Sequence, residues 1–147
     1  MIGLEPIQML NGCSEAKCQL HSNDTDLTNT IRHHYLVNFG HRLLDSMVDD
    51  YSANAVLHHI VNGEYTCYKG KEEIKKAFQE LFDMHVVGSS TFNLEHVIVD
   101  KESHMGMAVW SGSIPGKIFP QSNDTFYFDE NGKIESQMFV CTIVPKE

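Results

Sequence analysis

The order of its patterned segments constrains this chain more than any single motif does. Helical periodicity fills the first half, and after Asp83 only strand-like segments follow. Leu27, Ile31, Tyr35 and Phe39 recur at every fourth position, on one stripe of a helix that begins at Asp24 or Asp26 and stops at Gly40. A second, short helix carries Leu44, Met47, Val48 and Tyr51 on one face. Lys71 to Asp83 is the clearest helix: Ile74, Ala77, Phe78, Leu81 and Phe82 form an apolar stripe, and Glu72 precedes Lys76 by one turn. Before it, Ala55 to Val61 reads as a β-branched strand closed by the turn pair Asn62-Gly63, with Glu64 to Tyr68 as its return.

The strands that follow are expected at about Thr91–Asp100, His104–Gly112, Asp124–Asp129 and Lys133–Val144. Asn131-Gly132 is a strong hairpin signal between the last two. Ser111 to Asn123, with Pro115, Gly116 and Pro120, reads as a long loop of the kind that rims binding sites. Helices first and antiparallel strands afterwards predict an α+β fold. Three helices can be buried on only one face of such a mostly antiparallel sheet, and if the sheet curves, that concave face becomes a cone-shaped pocket. Residues 1–24 show no clear period and read as an extension that is flexible or lies against the domain formed by residues 25–147.

The 147 residues suit one domain with a real core, and 41% apolar content is that of a globular chain. A net charge of −9 argues against nucleic acid and against anionic membrane surfaces, since both need a basic face. Met1 to Pro6 lacks the features of a secretory signal, and no apolar run approaches the roughly 20 residues of a membrane helix. Cys13, Cys18, Cys67 and Cys141 form no CxxC pair. Buried free thiols in a reducing, cytoplasmic setting are the simpler reading, with a Cys13–Cys18 disulfide as the alternative. The nine histidines carry no metal-ligand spacing: His33-His34 and His58-His59 are adjacent pairs, and His41, His85, His96 and His104 fall in no HxxxH pattern. No metal and no cofactor are expected, and there is no phosphate or dinucleotide fingerprint.

The run Asp50-Tyr51-Ser52-Ala53-Asn54-Ala55-Val56-Leu57-His58-His59 resembles a helix-to-strand segment of nuclear transport factor 2-like, or SnoaL-like, proteins. So do Tyr68 to Ile74, Val109-Trp110-Ser111 and Asp124-Thr125-Phe126-Tyr127-Phe128 with Gly132-Lys133-Ile134. The resemblance covers Thr28 to Val144 and is specific for the fold, while the superfamily hosts both enzymes and non-catalytic modules. Compared with ketosteroid isomerases, it implies that Tyr35 stands at the oxyanion-hole tyrosine and Asp124 at the protonated aspartic acid. His59 stands where those enzymes have their aspartate base, a departure from the family pattern.

Two functions follow as expectations. In the first, a cofactor-free acid–base enzyme (an isomerase, dehydratase or cyclase) acts on a small apolar carbonyl compound. His59 shuttles the proton, and Tyr35 with Asp124 stabilises the enolate oxygen. Leu57, Trp110, Phe126 and Phe139 are expected to line the pocket. In the second, the cone is a non-catalytic scaffold for ligand binding or assembly, and the outer sheet face makes a homodimer. Each site residue also has a plainer reading: a hydrogen-bonded structural histidine, a core tyrosine, and a solvated aspartate closing a loop.

Overall fold

A computed structural model describes residues 8–9, 25–84 and 89–146. The expectations for residues 1–24, Cys13 and Cys18 among them, therefore lie outside the described residues except at Gln8–Met9, as does His85. Helix α1 runs Thr25–His33 and continues as a π-helical segment, His34–Phe39. Helix α2 is Leu44–Val48 and helix α3 is Gly70–Asp83. The strands are β1 (Gln8–Met9), β2 (Tyr51–Val61), β3 (Glu64–Lys69), β4 (Thr91–Asp100), β5 (Met105–Ile114), β6 (Lys117–Phe128), β7 (Ile134–Cys141) and β8 (Val144–Pro145). They form one sheet in the order β1-β4-β5-β6-β7-β2-β3, with β8 added beside β6. Among the described residues only β1–β4 and β2–β7 are parallel pairs. The fold is the expected α+β cone: three helices against a curved, mostly antiparallel sheet.

Alternation along the strands sets the concave face. On β6, Ser122, Asp124, Phe126 and Phe128 are all buried, while between them Asn123 is exposed and Thr125 and Tyr127 are half-buried. On β2, Ala55 and Leu57 are buried in line with His59, and His58 points to the convex side, where its Nδ1 meets the Tyr65 hydroxyl at 2.8 Å. Helix α3 is amphipathic as its stripe predicts, with Ile74, Phe78 and Phe82 buried. Its first turn gains a donor–acceptor pair because the Glu73 carboxylate accepts the Lys69 N–H at 2.5 Å.

Three segments differ from the sequence reading. Ser111 to Asn123 is a hairpin, not a loop: β5 runs to Ile114, Pro115-Gly116 make the turn with Gly116 at φ +77°, and β6 starts at Lys117. Pro120 fits inside β6 because the register with β5 shifts between Trp110 and Gly112, and such a bulge does not require its missing N–H. Tyr51 is not on the face of α2. The chain turns at Asp49-Asp50, the Asp50 carbonyl accepts the Ile134 N–H at 2.8 Å, and Tyr51 opens β2 opposite Ile134. The first helix also changes character before Gly40: Gly40 N–H bonds Tyr35 O at 2.9 Å and Leu43 N–H bonds Asn38 O at 2.8 Å, both i to i−5.

Close approach explains one glycine on the cone wall. A Cβ on Gly112 would lie 2.6 Å from the backbone oxygen of Thr91 on the neighbouring strand. Gly112→Ala is therefore expected to force β4 and β5 apart and to cost about 1–3 kcal/mol in a urea unfolding midpoint comparison. No helix among the described residues is long and apolar enough to cross a membrane.

Candidate functional site

The π-helical turn carries the first half of the site. Its wider turn places His34, Tyr35, Asn38 and Phe39 all in the interior, and such turns are frequent at functional sites. Tyr35 stacks on Phe92 with centroids 5.6 Å apart, which directs its hydroxyl across the cone toward β6. There the hydroxyl donates to Asp124 Oδ2. Asp124 is 1% exposed. Trp110 Nε1 donates to its Oδ1 at 3.3 Å, and Gln137 Nε2 donates to Oδ2 at 3.2 Å. Three donors, from the π-helical segment, β5 and β7, thus converge on one buried carboxyl.

Burial pushes the Asp124 carboxyl up to about 7, while the hydrogen bonds from Tyr35, Trp110 and Gln137 pull the other way. Desolvation is the larger effect, so a proton is retained into the neutral range. Burial also raises the Tyr35 and Tyr51 hydroxyls well above the ordinary tyrosine value, and the nearby Asp124 adds to both. Cys141, a free thiol, is pushed up to about 12, first by burial and then by Asp124. It is an inert thiol at neutral pH.

A second polar group extends this cluster. The Tyr51 hydroxyl donates to Gln137 Oε1 and lies 3.5 Å from His34 Nε2. His34 Nδ1 is 2.8 Å from Asp50 Oδ2, and Asn38 Nδ2 donates to the same oxygen at 2.9 Å. His34 is 1% exposed, and the Asp50 side chain 17%. The cluster thus runs from the domain surface to Asp124 without leaving hydrogen-bond range.

The space around Asp124 is small. The chamber bounded by Tyr35, Phe92, Trp110, Asp124, Gln137 and Phe139 has a volume of about 20 Å³, enough for about one water molecule. Beyond it lies an open cleft of about 450 Å³ that includes His59, Thr66, Tyr68 and Cys141. Leu81, Phe119 and Phe139 belong to both walls and form the partition. His59 stacks on the cleft side of Phe139, with ring centroids 4.6 Å apart and planes at 11°. Burial lowers its pKa, and Glu80 partly offsets this.

Of the residues expected from sequence, Tyr35 and Asp124 are bonded to each other, and His59 stands in the cleft on the other side of Phe139. Trp110 and Phe139 line the chamber. Leu57 and Phe126 are buried in the surrounding core, 2% and 0% exposed. Sequence reasoning missed Gln137, Tyr51, His34 and Asp50, and gave Trp110 no polar role. Gln137 had one available signal: alternation along β7 places it on the same face as Phe139 and Cys141.

Neither a family model nor a curated protein sequence matches this chain. Solved structures do. A nuclear transport factor 2-like protein of unknown function from Mesorhizobium loti superposes with a TM-score of 0.64 at 12% identity, covering 92% of this chain and 98% of that one. One from Burkholderia xenovorans has a TM-score of 0.66 at 14% identity, covering 84% and 88%. The epoxide hydrolase/cyclase-like enzyme SalBIII, described for pyran ring formation in the polyether salinomycin, gives 0.64 at 15% identity, covering 81% and 92%. At these identities the likeness concerns the fold.

Proposed function

We propose, for a chain with the nuclear transport factor 2-like, SnoaL-like fold, that the cone is the site of cofactor-free acid–base chemistry on a small apolar carbonyl compound. The observation that carries this reading is Asp124. It is a fully buried carboxyl that receives three hydrogen bonds and still holds its proton to about 7. Such a group donates a hydrogen bond or a proton to a developing oxyanion, and Tyr35 is placed to share that charge. His59, with its lowered pKa, is neutral at pH 7 and is the base in this reading. The substrate occupies the His59 cleft and reaches Asp124 when Leu81, Phe119 and Phe139 turn aside. Isomerisation, dehydration and cyclisation all use this pair of roles, and the fold likeness to SalBIII is compatible with the last. The free thiols of Cys67 and Cys141 support a cytoplasmic setting.

The test is proton exchange at carbon. Small cyclic ketones incubated in heavy water with the protein are expected to incorporate deuterium next to the carbonyl. Asp124→Asn is expected to slow this by about 10²–10³-fold, the usual effect of removing an oxyanion donor. Wild-type exchange no faster than that of Asp124→Asn for any ketone tried would count against the enzyme reading.

A non-catalytic binding or assembly module is the second reading, favoured by the water-sized chamber. In it the convex face makes a homodimer, where Tyr65, Ile98 and Met138 are 60%, 53% and 37% exposed. Sedimentation as a monomer at micromolar concentration would remove the dimer from either reading.

A further inference from the structure

Hydrogen-bond direction links the two ends of the buried cluster. Gln137 can face Asp124 with its NH₂ group or with its carbonyl, and each choice fixes the groups behind it. In the first arrangement Gln137 Nε2 donates to the Asp124 carboxylate, and the Gln137 carbonyl accepts from the Tyr51 hydroxyl. The Tyr51 oxygen is then free to accept from His34 Nε2–H, while Nδ1–H donates to Asp50. His34 is doubly protonated in this arrangement and is balanced by Asp50. In the second arrangement His34 Nε2 carries no proton and accepts from Tyr51. Tyr51 accepts from the reversed Gln137 amide, whose carbonyl accepts the proton of a neutral Asp124.

We infer that Asp50 and His34 are positioning residues that set the acidity of Asp124 from a distance, through the hydrogen-bond directions of Tyr51 and Gln137. A charged His34 holds Tyr51 and Gln137 in the orientation that favours the Asp124 carboxylate. A neutral His34 releases them toward the orientation that favours the acid. No proton travels through the amide; the chain transmits orientation only. The other groups facing Asp124 are Tyr35 from the π-helical segment, Trp110 from β5 and the Cys141 thiol from β7. None of them is charged at neutral pH, so none supplies an alternative switch. His34 is faced by Asp50 and Tyr51, and Asp50 by Asn38. The inference deepens the acid–base reading and rests on Asp124 as the group that holds the proton.

Tyr51→Phe changes no charge, so it separates the relay from through-space electrostatics. Removing the negative charge of Asp50 should by direct Coulomb action make Asp124 a stronger acid. Through the relay it should make Asp124 a weaker acid, because His34 Nδ1–H loses the carboxylate acceptor that holds the first arrangement. The measurement is a pH titration of the Asp124 carboxyl by carbon-13 NMR, assigned by its disappearance in Asp124→Asn. In Asp50→Asn the midpoint is expected to rise by roughly half a pH unit, about a threefold change in acidity. Tyr51→Phe removes no charge and no direct bond to Asp124, yet a similar rise is expected, and the double variant should match Tyr51→Phe alone. A fall in Asp50→Asn or an unchanged midpoint in Tyr51→Phe would overturn the relay. If Asp50→Asn does not fold, Tyr51→Phe decides alone. A wild-type midpoint near 7 with no response to either variant sinks the relay and leaves the Asp124 role standing. A wild-type midpoint in the ordinary carboxylate range removes both.

Discussion

Relative to Asp124→Asn, the wild-type protein is expected to lose about 3–4 kcal/mol of stability as pH rises from about 4 to 8. The sign follows from proton binding. In the unfolded chain the Asp124 carboxyl ionises at about 3.9, and in the folded chain at about 7 because it is buried. Between those values the folded state holds a proton that the unfolded state has released, so raising the pH favours unfolding. Above about 7 both states are ionised and the difference becomes constant. Asp124→Asn has no such proton, so the gap between the two urea unfolding curves isolates this one group from the other carboxylates. A gap that stays constant across the range would mean that Asp124 ionises alike in both states.

Phe126→Ala is expected to cost about 3–5 kcal/mol, read as a lowered urea midpoint with an unchanged slope. Phe126 is 0% exposed and lies two residues along β6 from Asp124, on the same face. Its ring meets His34 edge-on at 5.9 Å and Tyr35 at 6.1 Å, and stacks with Phe128 at 6.1 Å. The space left by the ring has aromatic walls on several sides and cannot collapse, since strand and helix backbones hold those rings in place. Phe126→Leu, which retains most of the volume, should cost much less. The same pair of variants tests the site: loss of the edge contacts frees the π-helical turn that aims Tyr35 at Asp124.

Periodicity made most of this fold legible. The four-residue stripe through Tyr35, the stripe of α3 and the Asn-Gly turns each depend on local geometry, and each stands where the sequence places it. The hairpin at Pro115-Gly116 was not legible because Pro120 argues against a strand unless a bulge is already known. Tyr51 was misplaced because a tyrosine one turn beyond Val48 satisfies helical spacing as well as it satisfies an inward strand position. The bond between Tyr35 and Asp124, two residues singled out in sequence, joins positions 89 apart. The remainder of the polar cluster depends on which long-range partners face one another. Gln137 is bonded to Tyr51 at a separation of 86 residues, and His34 to Asp50 at 16. No local pattern marks such pairs, and the alternation that turns Gln137 inward does not say which groups it meets. The Phe139 partition between His59 and Asp124 was invisible for the same reason: alternation gives the face of a side chain but not what stands beside it.

The acid–base reading and the relay both depend on a single buried carboxyl that keeps its proton near neutrality. Carbon-13 NMR of the wild-type Asp124 side chain over a pH series observes that proton directly, without a substrate. A midpoint close to 7 is the expected result. A midpoint near the ordinary aspartate value of about 3.9 would contradict it, because a carboxylate already ionised at neutral pH has no proton to offer.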